Sequence, residues 1–365
     1  GVELHLVTPA WGAGESQERL AQAIIHRIPT PDLGPDFFAS AEGTSLYLEE
    51  YAQRLWEQSG PFDLVHVHDW LVAFAGIETK TKQNVPLVST IHATERGRGR
   101  GYLVSEQSRS IDQVEWGLAY ESWRVIACSD YMAHEISDYF QCPMDKIDII
   151  PNGVETARFD RLEGQDLGQF RTQYALPLEE IIFYVGRVVY EKGLQVLVRS
   201  LPIILSEHPS AKVVVAGKGP ELARLKALAQ RVGVSDKILF TGFIADEDRD
   251  RLFKVADCAV FPSLYEPFGI VALEAMAAKC PVVVTEVGGL QEVVQHAETG
   301  ITVYPDDPGS LAWGILHTLQ HPKWSAARVE NAYRVVRGEF NWERIARLTC
   351  NVYREVIAER TISDW

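Results

Sequence analysis

Cysteine is scarce in this sequence. The 365 residues hold five, Cys128, Cys142, Cys258, Cys280 and Cys350. The number is odd and no two stand in a CxxC pair, so neither a disulfide framework nor a structural zinc site fits. Small buried apolar roles in a reducing cytoplasm are the expectation. Long hydrophobic runs are lacking too. The stretch 269–284 is broken by Glu274 and Lys279, and no integral membrane segment is expected. The first residues run directly into a strand-like series, Val2-Glu3-Leu4-His5-Leu6-Val7, so no signal peptide is expected. Positive charge is in short supply. Against 50 Asp and Glu stand 35 Lys and Arg, a net charge of −15. Such a chain is a poor partner for nucleic acid or an anionic membrane, although a local basic pocket for a phosphorylated small molecule stays compatible with it. No GxxxxGK[ST] occurs, which argues against a P-loop kinase. No Gly-x-Ser-x-Gly elbow occurs either, so α/β-hydrolase chemistry lacks a nucleophile.

What is present is a globular composition, with 46% hydrophobic and 23% charged residues, over a length that suits about two domains. Short Val/Ile-rich runs recur at 2–8, 63–67, 86–91, 124–128 and 147–150, then at 181–185, 212–216, 238–240, 258–261 and 281–285. They are not strictly alternating, which is the pattern of strands buried on both faces of a parallel sheet. Helix-length amphipathic stretches such as 193–207, 219–232 and 269–279 separate them. Two doubly wound α/β units in tandem follow from this order. The boundary falls near 151–175, after the turn Pro151-Asn152-Gly153, and gives units 1–155 and 156–340. Segments 28–45 and 94–110 read as loops, the second carrying Arg96-Gly97-Arg98-Gly99-Arg100-Gly101. A ligand cleft is expected where strand C-termini of the two units face each other.

The densest local signal is Pro262-Ser-Leu-Tyr-Glu266-Pro-Phe-Gly269-Ile-Val-Ala-Leu-Glu274. A strand ends, a loop carries Glu266, Gly269 opens a helix and Glu274 follows inside it. The backbone N–H groups of Gly269, Ile270 and Val271 form an anion site there, helped by the helix dipole. A carboxylate beside phosphate would repel it, so Glu266 is expected to face a neutral part of the ligand, such as sugar hydroxyls. A second set is Gly186-Arg187-Val-Val-Tyr-Glu191-Lys192-Gly193. Arg187 and Lys192 could grip a diphosphate, although such a pair alone is more often simply solvated on a loop. Gly288 and Gly289 offer a further turn of backbone donors between a strand and a helix. Gly217-Lys-Gly219-Pro-Glu-Leu222 matches only two glycines of GxGxxG and is weak.

In the first half, His68-Asp69-Trp70 and His92 close two strands at the crevice edge. No HxxxH and no acidic triplet accompanies them, so no metal is expected. A lone histidine is more often structural, and contact of His68 with substrate and a structural role stand about level. For His92 the structural role is favoured.

Together these residues resemble the GT-B glycosyltransferases of family 4, especially the glycogen and starch synthase-like branch. The matching elements are His68-Asp69-Trp70, Thr90-Ile91-His92, Ile150-Pro151-Asn152-Gly153, Val185-Gly186-Arg187 with Glu191-Lys192-Gly193, Ala216-Gly217-Lys218-Gly219-Pro220, Glu266-x7-Glu274, Gly288-Gly289 and Phe340-Asn341-Trp342-Glu343. The resemblance implies two Rossmann-like domains with an interdomain cleft, the first for the acceptor and the second for a nucleotide-sugar, and a last helix, 341–365, that crosses back to the first domain. It implies a retaining hexosyltransferase, transferring glucose in the family pattern from UDP- or ADP-glucose to an α-glucan or small glucoside, with no metal or other cofactor. Arg187, Lys192 and the backbone at Gly269–Val271 would hold the diphosphate. Glu266 would meet the donor sugar, Glu274 the ribose, and His68 the transferred sugar, with Asp69 and His92 as further sugar contacts. Gly1–Pro9 looks like the family's second strand, so the first strand-loop-helix unit is expected to be lacking from this chain. The rival readings are a non-hydrolysing sugar-nucleotide epimerase, for which no clear set of catalytic acids is found, and a nucleotide-sugar or glucan-binding scaffold without turnover.

Overall fold

A computed structural model describes residues 2–10, 14–30 and 36–363. The chain divides into two units, Gly1–Ile150 with Ala346–Trp365, and Pro151–Ile345.

In the first unit, β4 (Val65–His68), β5 (Leu87–Ile91), β6 (Arg124–Ala127) and β7 (Ile147–Ile149) form a parallel sheet in that order. β5 is buried at every position, and the hydroxyls of its two polar residues, Ser89 and Thr90, find side-chain partners in Ser122 and His66. A separate sheet pairs β1 (Leu4–Pro9) in parallel with β3 (Ala23–Ile28), and β3 antiparallel with β2 (Ser16–Leu20). The sequence pattern does not show β2. Its residues, Ser-Gln-Glu-Arg-Leu, are all exposed, so no apolar face marks it.

Both expected loops are partly helical. Residues 31–35 of the first lie outside the described residues, but α1 (Phe37–Ser59) begins inside it. Asp36 caps that helix by accepting the Ala39 N–H at 2.9 Å, and Ala41, Ser45, Leu48 and Leu55 turn inward at helical spacing. In the second, Thr94 caps one turn of helix at Glu95–Arg98. Ser105 and Ser108 then form a reciprocal capping box that starts a longer helix at Glu106. Capping residues therefore outweighed the glycines. After α1 come α2 (Ala73–Gln83), α3 (Glu106–Glu121) and α4 (Asp130–Phe140).

In the second unit, six parallel strands stand in the order β10-β9-β8-β11-β12-β13. They are β8 (Glu180–Val185), β9 (Ala211–Ala216), β10 (Ile238–Gly242), β11 (Cys258–Phe261), β12 (Val282–Thr285) and β13 (Ile301–Val303). The chain winds outward from β8 in one direction and from β11 in the other. The switch point lies between those two strands, and ligands of open α/β sheets bind outside the strand C-termini at such a point. The helices α5 (Leu194–Glu207), α6 (Leu222–Arg231), α7 (Asp246–Val255), α8 (Ile270–Ala277), α9 (Pro308–Gln320) and α10 (Pro322–Glu339) complete the winding. The last helix, α11 (Trp342–Ile362), starts in this unit and belongs to the first unit from Ala346 onward. There Glu359 accepts the Trp123 indole N–H at 2.7 Å and pairs with Arg124.

Candidate functional site

Two loops leave the switch point, and the backbone ties them together. The loop after β8 carries Gly186, Arg187 and Lys192. The loop after β11 carries Ser263 and Glu266. The Glu191 carbonyl accepts the N–H groups of Leu264 at 2.7 Å and Tyr265 at 3.3 Å. Gly193, between them, has φ 68°, and a Cβ there would lie 1.8 Å from the Pro262 carbonyl oxygen. Only glycine allows that approach.

The side chains then meet. Lys192 Nζ donates to Glu266 Oε2 at 2.7 Å, and the Ser263 hydroxyl donates to the same oxygen at 3.2 Å. Glu266 is buried. The sequence alone does not show this pairing of Glu266. Its charge is compensated at once by Lys192, and the pair is a unit. Arg187 is exposed and lies 3.5 Å from Glu191, while the Tyr184 hydroxyl holds the Arg187 carbonyl at 3.0 Å. Arg187 is thus presented to solvent from a fixed turn.

Helix α8 starts where expected. Gly269 is its N-cap with φ 107° and offers no side-chain cap. The N–H groups of Gly269, Ile270 and Val271 have no acceptor among the described residues. Three orphan donors, the positive end of the helix dipole and Lys192 make an anion site. The glycine turns contribute less than expected. The Gly289 N–H is taken by the Glu266 carbonyl at 3.0 Å, and the Gly186 N–H by Ala216 at 3.0 Å. These two donors shape loops and are not open to a ligand. Gly288 takes a left-handed turn, φ 51°.

Glu274, buried on α8, has partners that the sequence does not reveal. Arg158 reaches its Oε1 at 2.5 Å, and Arg249 lies 3.7 Å away. Arg158 stands 116 residues earlier in the chain, with no local motif to mark it.

In the first unit, the ends of β4 and β5 gather imidazoles. His68 Nδ1 lies 3.1 Å from His92 Nε2. Asp69 takes φ 58° and ψ 178°, a region that few residues other than glycine enter. Its carboxylate accepts the His92 backbone N–H at 2.7 Å, and its own N–H donates to the Thr90 carbonyl at 2.9 Å. His68 is exposed, but its surroundings hold its imidazole below the ordinary range, first by burial of the ring and then through His92, against an opposing pull from Asp69. So His68, Asp69 and His92 come together. Behind them stand His66 and Tyr353, which the sequence reading does not single out, and Thr90, which enters it only within Thr90-Ile91-His92. The spacing of two between His66 and His68 puts both on one face of β4. Among the described residues, no group of three or more His, Cys, Asp or Glu could hold a metal ion, and no helix is long and apolar enough to cross a membrane.

Comparison with known proteins covers both units. Residues 1–158 match the family described as Glycosyltransferase Family 4, and residues 169–335 match glycosyl transferases group 1. An uncharacterised glycosyltransferase of Methanocaldococcus jannaschii is 41% identical over 295 residues, 80% of this chain and 75% of that protein. A glycogen synthase of Mycobacterium tuberculosis is 37% identical over 291 residues, 80% of this chain and 68% of that protein. Among solved structures, sucrose-phosphate synthase of Thermosynechococcus elongatus superposes with a TM-score of 0.81 at 25% identity, covering 98% of this chain and 90% of that one.

Proposed function

The chain belongs to the GT-B glycosyltransferases of family 4, and on that premise we propose that it moves glucose from UDP- or ADP-glucose to an α-glucan or small glucoside with retention at the anomeric carbon. The observation that carries this reading is the anion site at the β8/β11 switch point: three backbone N–H groups at Gly269–Val271 without acceptors, three residues beyond the Glu266 that Lys192 holds. The glycogen synthase relative supports the choice of glucose and of a glucan acceptor. The second unit is read as the donor domain and the first as the acceptor domain.

The chemistry is charge stabilisation. The acceptor hydroxyl oxygen forms the new bond to the sugar C1 as the bond from C1 to the diphosphate oxygen breaks; the hydroxyl proton passes to the departing phosphate oxygen, on which negative charge builds. Arg187, Lys192 and the α8 N–H groups meet it there, already oriented. Two cations and a helix end supply the charge that a divalent ion would otherwise bring, so no metal is required in this account. Glu266 accepts hydrogen bonds from donor-sugar hydroxyls as the ring gains positive charge. Glu274 takes the ribose, and its arginine partners fix its position. His68 is offered to the transferred sugar, with Asp69 and His92 setting its place.

Replacing Arg187 or Lys192 by Ala tests this directly. Each change should remove about 2–4 kcal/mol of transition-state stabilisation, a loss of roughly 30- to 900-fold in turnover. Steady-state kinetics with nucleotide-glucose would check it. Wild-type turnover in both variants would refute the assignment.

A further inference from the structure

His66, His68 and His92 form a row of stacked rings in the first unit. His66 and His68 lie 4.5 Å apart at 29°, and His68 and His92 lie 5.4 Å apart at 13°. The inner end of the row is closed by two hydrogen bonds. His66 Nε2 lies 2.8 Å from Thr90 Oγ1, and His66 Nδ1 lies 2.6 Å from the hydroxyl of Tyr353, on α11. The Tyr353 ring stands edge-on to His66 at 5.5 Å and 80°.

These contacts engage both nitrogens of the His66 ring. A neutral imidazole has one N–H and one lone pair. Burial, with His68 and His92 adding to it, pushes His66 down to about 3, so its ring is neutral at physiological pH. Burial also pushes the Tyr353 hydroxyl up to about 12, with Cys350 adding to it, so that proton stays in place. Two arrangements satisfy both contacts: the Tyr353 O–H donates to Nδ1 while Nε2–H donates to Thr90 Oγ1, or Nδ1–H donates to the Tyr353 oxygen while the Thr90 hydroxyl donates to Nε2. Neither ring nitrogen of His66 is left to turn toward His68, and the ring is clamped at both edges.

We propose that Tyr353 is a positioning residue for catalysis: by clamping His66, it fixes the ring on which His68 stacks, and so holds the His68 imidazole in place toward the sugar. This rests on the reading above, that His68 meets the transferred sugar. The last helix then does more than brace the first unit. A residue 287 positions away from His66 in the chain completes the side-chain array around His68.

The docking of α11 has separate anchors, which makes the test clean. Glu359 holds Trp123 and Arg124, and Val352 and Val356 are buried. Tyr353→Phe keeps the ring and removes only the hydroxyl. Glu359→Gln weakens the same helix without touching His66. Turnover with nucleotide-glucose, thermal melting and long-range ¹H–¹⁵N spectra of the histidine rings would be recorded for each. Tyr353→Phe should lower kcat about tenfold and leave the donor KM within about twofold. It should also move the ring signals of His66 and of His68. Glu359→Gln should lower the melting temperature and leave kcat within about twofold. Unchanged kcat in Tyr353→Phe, an equal kcat loss in Glu359→Gln, or His68 signals that stay put would overturn the proposal. His68→Ala separates the two claims. Full turnover in His68→Ala removes the underlying reading, whereas an inactive His68→Ala beside a full-rate Tyr353→Phe removes this inference alone.

Discussion

Glu266 and Lys192 stand 74 residues apart in the chain and meet at 2.7 Å. Each was legible in the sequence as a residue type after a strand. Their pairing was not, because it depends on β8 and β11 being neighbours while four other strands lie outside them. The pair changes what a substitution should do. In the free enzyme Glu266 competes with a diphosphate for the Lys192 ammonium and adds negative charge near it. Glu266→Gln keeps the shape and removes both effects. Nucleoside diphosphate should therefore bind severalfold more tightly, while turnover falls because the sugar loses a charged acceptor, worth about 1.5–3 kcal/mol. Calorimetry with UDP and ADP alongside kinetics would show this. Weaker diphosphate binding, or unimpaired turnover, would contradict it. Glu274 illustrates the same limit of sequence reading. Its place on α8 is set by the spacing from Glu266, but its arginine partners come from distant segments.

The single helical turn Glu95–Arg98 shows how a short element is held by one buried group. The Glu95 N–H at its start donates to both carboxylate oxygens of Glu115, at 2.9 and 3.1 Å. Glu115 sits on α3 and is 2% exposed. Burial pushes its carboxyl up to about 8, against the pull of that backbone N–H and of Arg98, with Glu95 and Asp69 pushing the same way as burial. An acid whose folded pKa is raised binds its proton more tightly when folded. Its contribution to stability is complete below about pH 4.5, is lost as the pH rises toward 8, and changes no further above that. The slope is at most about 1.4 kcal/mol per pH unit. Glu115→Gln mimics the protonated form and should flatten this part of the curve. It should match the natural protein near pH 4.5 and exceed it at pH 9, measured by urea unfolding at each pH. Superimposable curves would show that Glu115 titrates normally. The sequence offered no sign of this element, since Arg96-Gly-Arg-Gly-Arg-Gly reads as a loop and the cap at Thr94 is a single residue.

At the scale of the whole molecule, the parallel-sheet architecture was the most legible part. Strands buried on both faces are written as continuous Val/Ile runs, and most of them fall within a residue or two of the expected ranges. What escaped were the exposed β2, its partner β3, whose apolar run is cut by His26 and Arg27, the three-residue β13, and α1, whose capping residue is followed by a mixed stretch. The donor-side site was legible because strand, loop, glycine and helix follow one another locally. The histidine row was half legible, because Tyr353 arrives from the far end of the chain. Metal-independent transfer from a sugar nucleotide by fixed cations and a helix end can be measured by incubating the protein with UDP- or ADP-glucose and a maltooligosaccharide in EDTA, and following the new linkage by ¹H NMR. The expected product is an α-linked glucosyl unit, released with one nucleoside diphosphate per bond formed. A β-linked product, or transfer that appears only when Mn²⁺ or Mg²⁺ is restored, would contradict it.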